Sequence, residues 1–97
     1  MDHTENTDLL ARCRVKIDML DRQIAGLLAE RFAVSDEIGR YKAENELPVR
    51  NAAREAEVLA SARAQAGPPY ADDVAAVYET ILARSRQRQD PAAETDN

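Results

Sequence analysis

The sequence predicts an all-α fold with three helices per chain, one of them very long, and three observations lead there. Apolar residues recur at steps of three and four over three separate stretches, and no stretch alternates as a strand does. Ala supplies 18 of the 97 residues, which suits helices that approach one another closely. With no Trp, one Phe and three Tyr, the chain lacks the aromatic content of a β-sandwich.

The first stretch covers residues 9–44. Leu10, Cys13, Ile17, Leu20, Ile24, Leu27, Val34, Ile38 and Tyr41 follow at three- or four-residue steps with a single gap, the stripe of an amphipathic helix. Thr7 or Asp8 can cap its start, and Pro48 stops the pattern after a short polar connection. Such a helix is roughly 50–55 Å long, whereas a compact domain of this chain length measures only about 33 Å across. It must project past any globule that one chain can build, with its stripe running to the far end. A second copy of the chain is the economical cover, because twofold dimers are the commonest oligomers.

The second stretch, residues 51–66, turns Ala52, Ala56, Leu59, Ala62 and Ala66 to one side. Four of these five are Ala, so the helix can sit close to a neighbour while burying little area itself. Gly67 is expected as a left-handed cap, and Pro68-Pro69 cannot continue the helix. The third stretch, residues 71–89, carries Val74, Val77, Tyr78, Ile81 and Leu82 on one face, with Asp72 and Asp73 at its positive N-terminal end. The organisation is a polar leader (1–8), a helical body (9–89) and an acidic tail (90–97). Both ends lack periodicity and are expected to be disordered.

Charge narrows the function. The 13 Lys and Arg against 18 Asp and Glu give a net charge of −5, but Asp2, Glu5, Asp8, Asp90, Glu94 and Asp96 all lie in the two ends. The acidic total argues against nucleic acid or an anionic membrane as a partner. The near-neutral body still admits a small anionic ligand. A single Cys excludes a disulfide framework and a cysteine-based zinc site, and the one His sits in the leader at position 3, expected to be solvated. Cys13 reads as a small core residue, and the three tyrosines as core and rim. Hydrolytic and redox chemistry therefore have no carriers, and no metal and no cofactor is expected. No apolar run reaches membrane-span length and the start is not a signal peptide, so the expected location is cytoplasmic. Leu, Ile, Val and Phe number only 19, which leaves a lone protomer a thin core.

The gap in the first stripe is informative. Placed at 100° intervals, Arg31 falls in the middle of the apolar arc, Lys42 inside it and Arg14 at its edge. On the third helix the stripe continues through Ser85, with Gln89 four residues on. Inward cations need an anion or a wet site. One reading gives them structural salt bridges with acids such as Asp18, Asp21, Glu30 or Glu55. The other gives them a small dicarboxylate ligand, with catalysis, if any, by positioning and fixed electrostatics.

The run Arg14-Val15-Lys16-Ile17-Asp18-Met19-Leu20-Asp21, then Leu27-Leu28-Ala29-Glu30-Arg31, then Ile38-Gly39-Arg40-Tyr41-Lys42, resembles the first helix of the all-helical (type II) chorismate mutases. Pro48-Val49-Arg50-Asn51 and Arg54-Glu55 are similar to that family's loop and the start of its second helix. Ser85 and Gln89 fall where its third helix carries a Ser and a Gln four residues apart. The resemblance spans residues 9–89. It implies an intertwined homodimeric helical bundle whose two active sites are each built from both protomers, and a cofactor-free Claisen rearrangement of chorismate to prephenate in aromatic amino-acid biosynthesis.

By position, the resemblance implies that Arg31 and Ser85 hold one end of the substrate with its carboxylate. Arg14 reaches across the dimer interface to the second carboxylate. Lys42 and Gln89 face the ether oxygen whose bond breaks, and Glu55, with the backbone near Asn51, holds the ring hydroxyl. Position 51 usually carries Asp in such relatives, so a 4-amino-4-deoxychorismate mutase stands as an alternative, although a cationic amine favours an acid there. An isochorismate-pyruvate lyase shares the frame, but its relatives tend to lack the glutamate at position 55. At this length a monofunctional enzyme is expected, and a non-catalytic helical dimer acting as an interaction module is the remaining alternative.

Overall fold

An unbroken run without Pro, rich in Ala, Leu, Arg and Glu, folds as α1 (His3–Glu44). In this computed structural model, which describes residues 3–90 and side chains from Asp8 onward, α2 (Ala52–Ala66) and α3 (Ala71–Gln89) complete the fold, with no strand among the described residues. The helix content agrees with the expected all-α class. The start of α1 does not agree with the expected cap: the helix passes through Thr7 and Asp8 and begins at His3. Residues 3–8 are helical backbone. The expectations for residues 1–2, for the His3 side chain and for 91–97 of the tail lie outside what is described.

The chain divides between Arg31 and Phe32 into two units. The first is α1 up to Arg31. Its stripe has no cover: Leu10, Ile17, Leu20, Ile24 and Leu27 are 50–63% exposed, and Cys13, expected in the core, is exposed as well. The cause is geometric, since a single helix cannot bury its own face.

The second unit holds the rest of α1 together with α2 and α3. α1 stops in a Schellman turn: Leu47 N–H donates to Lys42 O at 2.8 Å, Glu46 N–H to Ala43 O at 3.4 Å, and Glu46 takes the left-handed φ of 55°. Pro48 then prevents any return to helix. Asn51 caps α2, its side-chain oxygen accepting from Arg54 N–H at 3.0 Å. At the far end Gly67 N–H donates to Arg63 O at 3.0 Å. Its φ of 67° is left-handed, as expected of this cap, and with ψ of 170° it lies in a backbone region essentially reserved for Gly. Asp72 and Asp73 occupy the first turn of α3 as expected, and Arg63 of α2 pairs with Asp72.

α2 and α3 pack together, and the buried apolar residues are Ala62, Ala75, Ile81 and Leu82. Fully burying an Ile or Leu contributes about 1.5–3 kcal/mol, so Ile81 and Leu82 outweigh the two alanines. The faces differ slightly from expectation. Ala52 and Ala56 are exposed, and the inner side of α2 runs through Glu55, Leu59, Ala62 and Ala66. On α3, Val77 is 59% exposed while Ala75 is buried. Tyr78 is half-buried, but Tyr41 and Tyr70 are on the surface. Val34, Ile38 and Tyr41, the end of the α1 stripe, are exposed too. No helix among the described residues is long and apolar enough to cross a membrane.

Candidate active site

Five of the seven residues singled out in the sequence, Lys42, Asn51, Glu55, Ser85 and Gln89, belong to the second unit. Lys42 lies in the last turn of α1, and the Schellman turn folds the following chain back over it. Its half-buried Nζ donates to Val49 O at 2.7 Å and to Gln89 Oε1 at 2.8 Å. An ammonium has three donors, so one N–H of Lys42 has no partner among the described residues. Gln89 uses its carboxamide oxygen on Lys42, which leaves its two Nε2 hydrogens as donors. Both acceptors of Lys42 are neutral. Its positive charge is oriented but not cancelled.

Gly39 explains how Gln89 comes so close. A Cβ there would lie 2.8 Å from Gln89 Cα and 3.0 Å from its carbonyl oxygen. The end of α3 therefore rests on the α1 backbone one turn before Lys42, an approach that only Gly permits. Beside it, Arg88 donates from Nε and Nη2 to the two carboxylate oxygens of Asp36 at 2.7 and 2.8 Å. These hydrogen bonds hold the Asp36 carboxyl below its ordinary pKa, helped by the charges of Arg88 and Arg40 and opposed by partial desolvation.

Glu55 is also half-buried, one turn into α2. Arg86 Nη1 donates to its Oε1 at 2.7 Å, and Arg50 Nε lies 3.9 Å from the same oxygen. Glu55, a candidate counter-ion for the inward cations of α1, pairs instead with Arg86 and Arg50. Ser85 is buried on α3, one turn before Gln89, and Ser35 is buried on α1. Asn51 is exposed with its oxygen engaged in the α2 cap, a duty that Asp performs equally well. Arg14 and Arg31 belong to the first unit, Arg14 exposed and Arg31 half-buried.

Sequence reasoning did not find Arg86, Arg88, Asp36, Ser35 or the Val49 carbonyl. Ser35 was accessible to the argument that found Lys42, because it too falls inside the apolar arc of α1. Arg86 and Arg88 read as basic residues complementing a helix C-terminus, which conceals their partners. A backbone carbonyl such as that of Val49 has no signal in the residue letters.

Among the described residues, no group of three or more His, Cys, Asp or Glu is arranged to hold a metal ion. What this unit offers is one half-buried ammonium aimed by two neutral oxygens, and a half-buried carboxylate, Glu55, anchored by Arg86. No curated protein and no solved structure matches the chain. The family model for chorismate mutase type II matches residues 13–90, from α1 through the end of α3 and across every residue of this site. The chain belongs to the chorismate mutase type II family.

Proposed function

We propose that this chain converts chorismate to prephenate, as an isomerase that uses no cofactor. The observation that carries the reading is Lys42: a half-buried ammonium bonded to two neutral oxygens, with a third N–H unpartnered among the described residues. A pericyclic rearrangement needs no nucleophile and no base. It needs the enolpyruvyl arm held over the ring, and donors where the ether oxygen gains negative charge. Lys42 and the Gln89 amide are such donors. Because that charge peaks as the C–O bond breaks, they bind the transition state more strongly than the ground state, which raises kcat.

The rest of the assignment follows family position. Arg31 and Ser85 take one carboxylate end of the substrate, and Arg14 of a second copy takes the other, in an intertwined homodimer that also covers the exposed α1 stripe. Glu55 and the backbone at Asn51 hold the ring hydroxyl. The reaction then serves aromatic amino-acid biosynthesis in the cytoplasm. A hydroxyl suits this site better than a ring ammonium does, because Asn51 is neutral and Glu55 already faces two guanidinium groups. That favours chorismate over its 4-amino analogue.

The test is to follow the ultraviolet absorbance of chorismate with purified protein, with 4-amino-4-deoxychorismate and isochorismate in parallel. Lys42→Ala should lower turnover by about 10²–10³, as for loss of one preorganised oxyanion donor. Near-full turnover in that variant, or no reaction of chorismate with the wild-type protein, refutes the reading. Sedimentation tests the dimer, and a stable folded monomer rules it out.

A further inference from the structure

Gln89 is the last residue of α3, and terminal helical turns fray unless something ties them down. A side chain that must present two N–H groups at a fixed point is poorly placed there. Two features outside the reacting groups counter the fraying. Gly39 lets the Gln89 backbone lie directly on α1, and the neighbouring Arg88 forms a two-pronged pair with Asp36, one turn before Arg40 and closer to the middle of α1. The pair links residues 52 apart in the chain, so it fixes the register of α3 against α1 rather than stiffening either helix alone. Fork-to-fork geometry restricts angle as well as distance, which a lysine could not do.

We propose that Asp36 and Arg88 are positioning residues for the reaction: their ion pair holds the final turn of α3 so that the Gln89 carboxamide stays on Lys42 and aims its N–H groups at the substrate. The inference rests on the chorismate mutase reading above. It requires that the pair acts through Gln89 and not through general stability.

Kinetics with chorismate on Asp36→Asn, Arg88→Lys, Gln89→Ala and the Asp36→Asn/Gln89→Ala double variant test this. In the wild-type background, Asp36→Asn and Arg88→Lys should each lower kcat about three- to thirtyfold, the range for residues acting through another. KM should stay within about twofold, because the hydrogen bond that Gln89 then fails to make belongs to the transition state. In the Gln89→Ala background, Asp36→Asn should cost nothing further, since coupled residues are non-additive. The charge-swapped Asp36→Arg/Arg88→Asp variant should recover part of the rate. An unchanged kcat in both single variants, or the same loss with and without Gln89, overturns the proposal. The Gln89 side-chain amide signal in NMR provides an arm independent of turnover. It should shift or broaden in Asp36→Asn, and an unmoved signal overturns the positioning claim. Wild-type protein that leaves chorismate untouched overturns the assigned reaction instead.

Discussion

Two glycines in α1 should respond to the same substitution with opposite sign. Gly26 lies off the apolar stripe, and a Cβ there meets nothing within 4 Å. Gly26→Ala should therefore gain the full helix-propensity difference of about 0.8–1 kcal/mol. For a domain of this size that raises Tm by about 4–8 °C per kcal/mol. Gly39→Ala gains the same propensity but puts its Cβ 2.8 Å from Gln89 Cα. Carbon atoms pack at about 3.5–4.0 Å, so the end of α3 must retreat by about 0.7 Å or more. Overpacking of this kind costs about 1–3 kcal/mol, which leaves a net loss of about 0–2 kcal/mol against the propensity gain. The contact is backbone on one side, so no rotamer change relieves it. The same retreat stretches the Lys42–Gln89 hydrogen bond from 2.8 Å to about 3.5 Å, beyond effective range. A displacement of this order at a reacting group costs up to about 10² in rate, so kcat should fall about ten- to a hundredfold. Thermal melts by circular dichroism and chorismate kinetics read both effects. If Gly39→Ala raises Tm as Gly26→Ala does and keeps its turnover, α3 does not rest on α1 and the geometry around Lys42 is wrong.

Asn51→Ala should lose the α2 cap and about 0.5–2 kcal/mol of stability, whereas Asn51→Asp should cap equally well and gain about 0.3–1 kcal/mol from the helix dipole; urea midpoints distinguish them. The depressed pKa of Asp36 makes its contribution present above the ordinary aspartate pKa and lost as pH falls through the lower folded value. Asp36→Asn should therefore be less stable than wild type at neutral pH, and the two unfolding midpoints should converge in strong acid; a gap that persists there rules out the ion pair as the cause.

The bounds of α2 and α3 were legible because Asn51, Gly67, Pro68 and Pro69 leave the backbone little choice. The start of α1 was not, because Thr7 and Asp8 are good caps but equally tolerable inside the acidic first turns of a longer helix. Lys42 could be found because a charge inside an apolar arc violates the pattern around it. Asp36 and Arg88 violate nothing: each sits on a helix surface where a charge is ordinary, and only the packing of α3 on α1 reveals them as partners. The same holds for Arg86 and Glu55, 31 residues apart. Exposed Val77 and buried Ala75 show the limit of periodicity, which finds an arc but leaves its edges to the neighbour that packs there.

The cations drawn into contacts between helices in the second unit are sorted by chemistry. Arg63 meets Asp72, Arg86 meets Glu55 and Arg88 meets Asp36, each a guanidinium on a carboxylate. Lys42 alone in this group meets neutral oxygens, those of Val49 and Gln89. Stability alone does not account for the difference, since a nearby carboxylate would offset the ammonium's desolvation by direct Coulombic attraction, as in the three arginine pairs. Carbonyl oxygens do something a carboxylate cannot: they aim the ammonium while leaving its charge available. The planar arginines fix the framework and the compact lysine keeps its field, which is the division of labour that the proposed rearrangement, with its developing negative charge, would need.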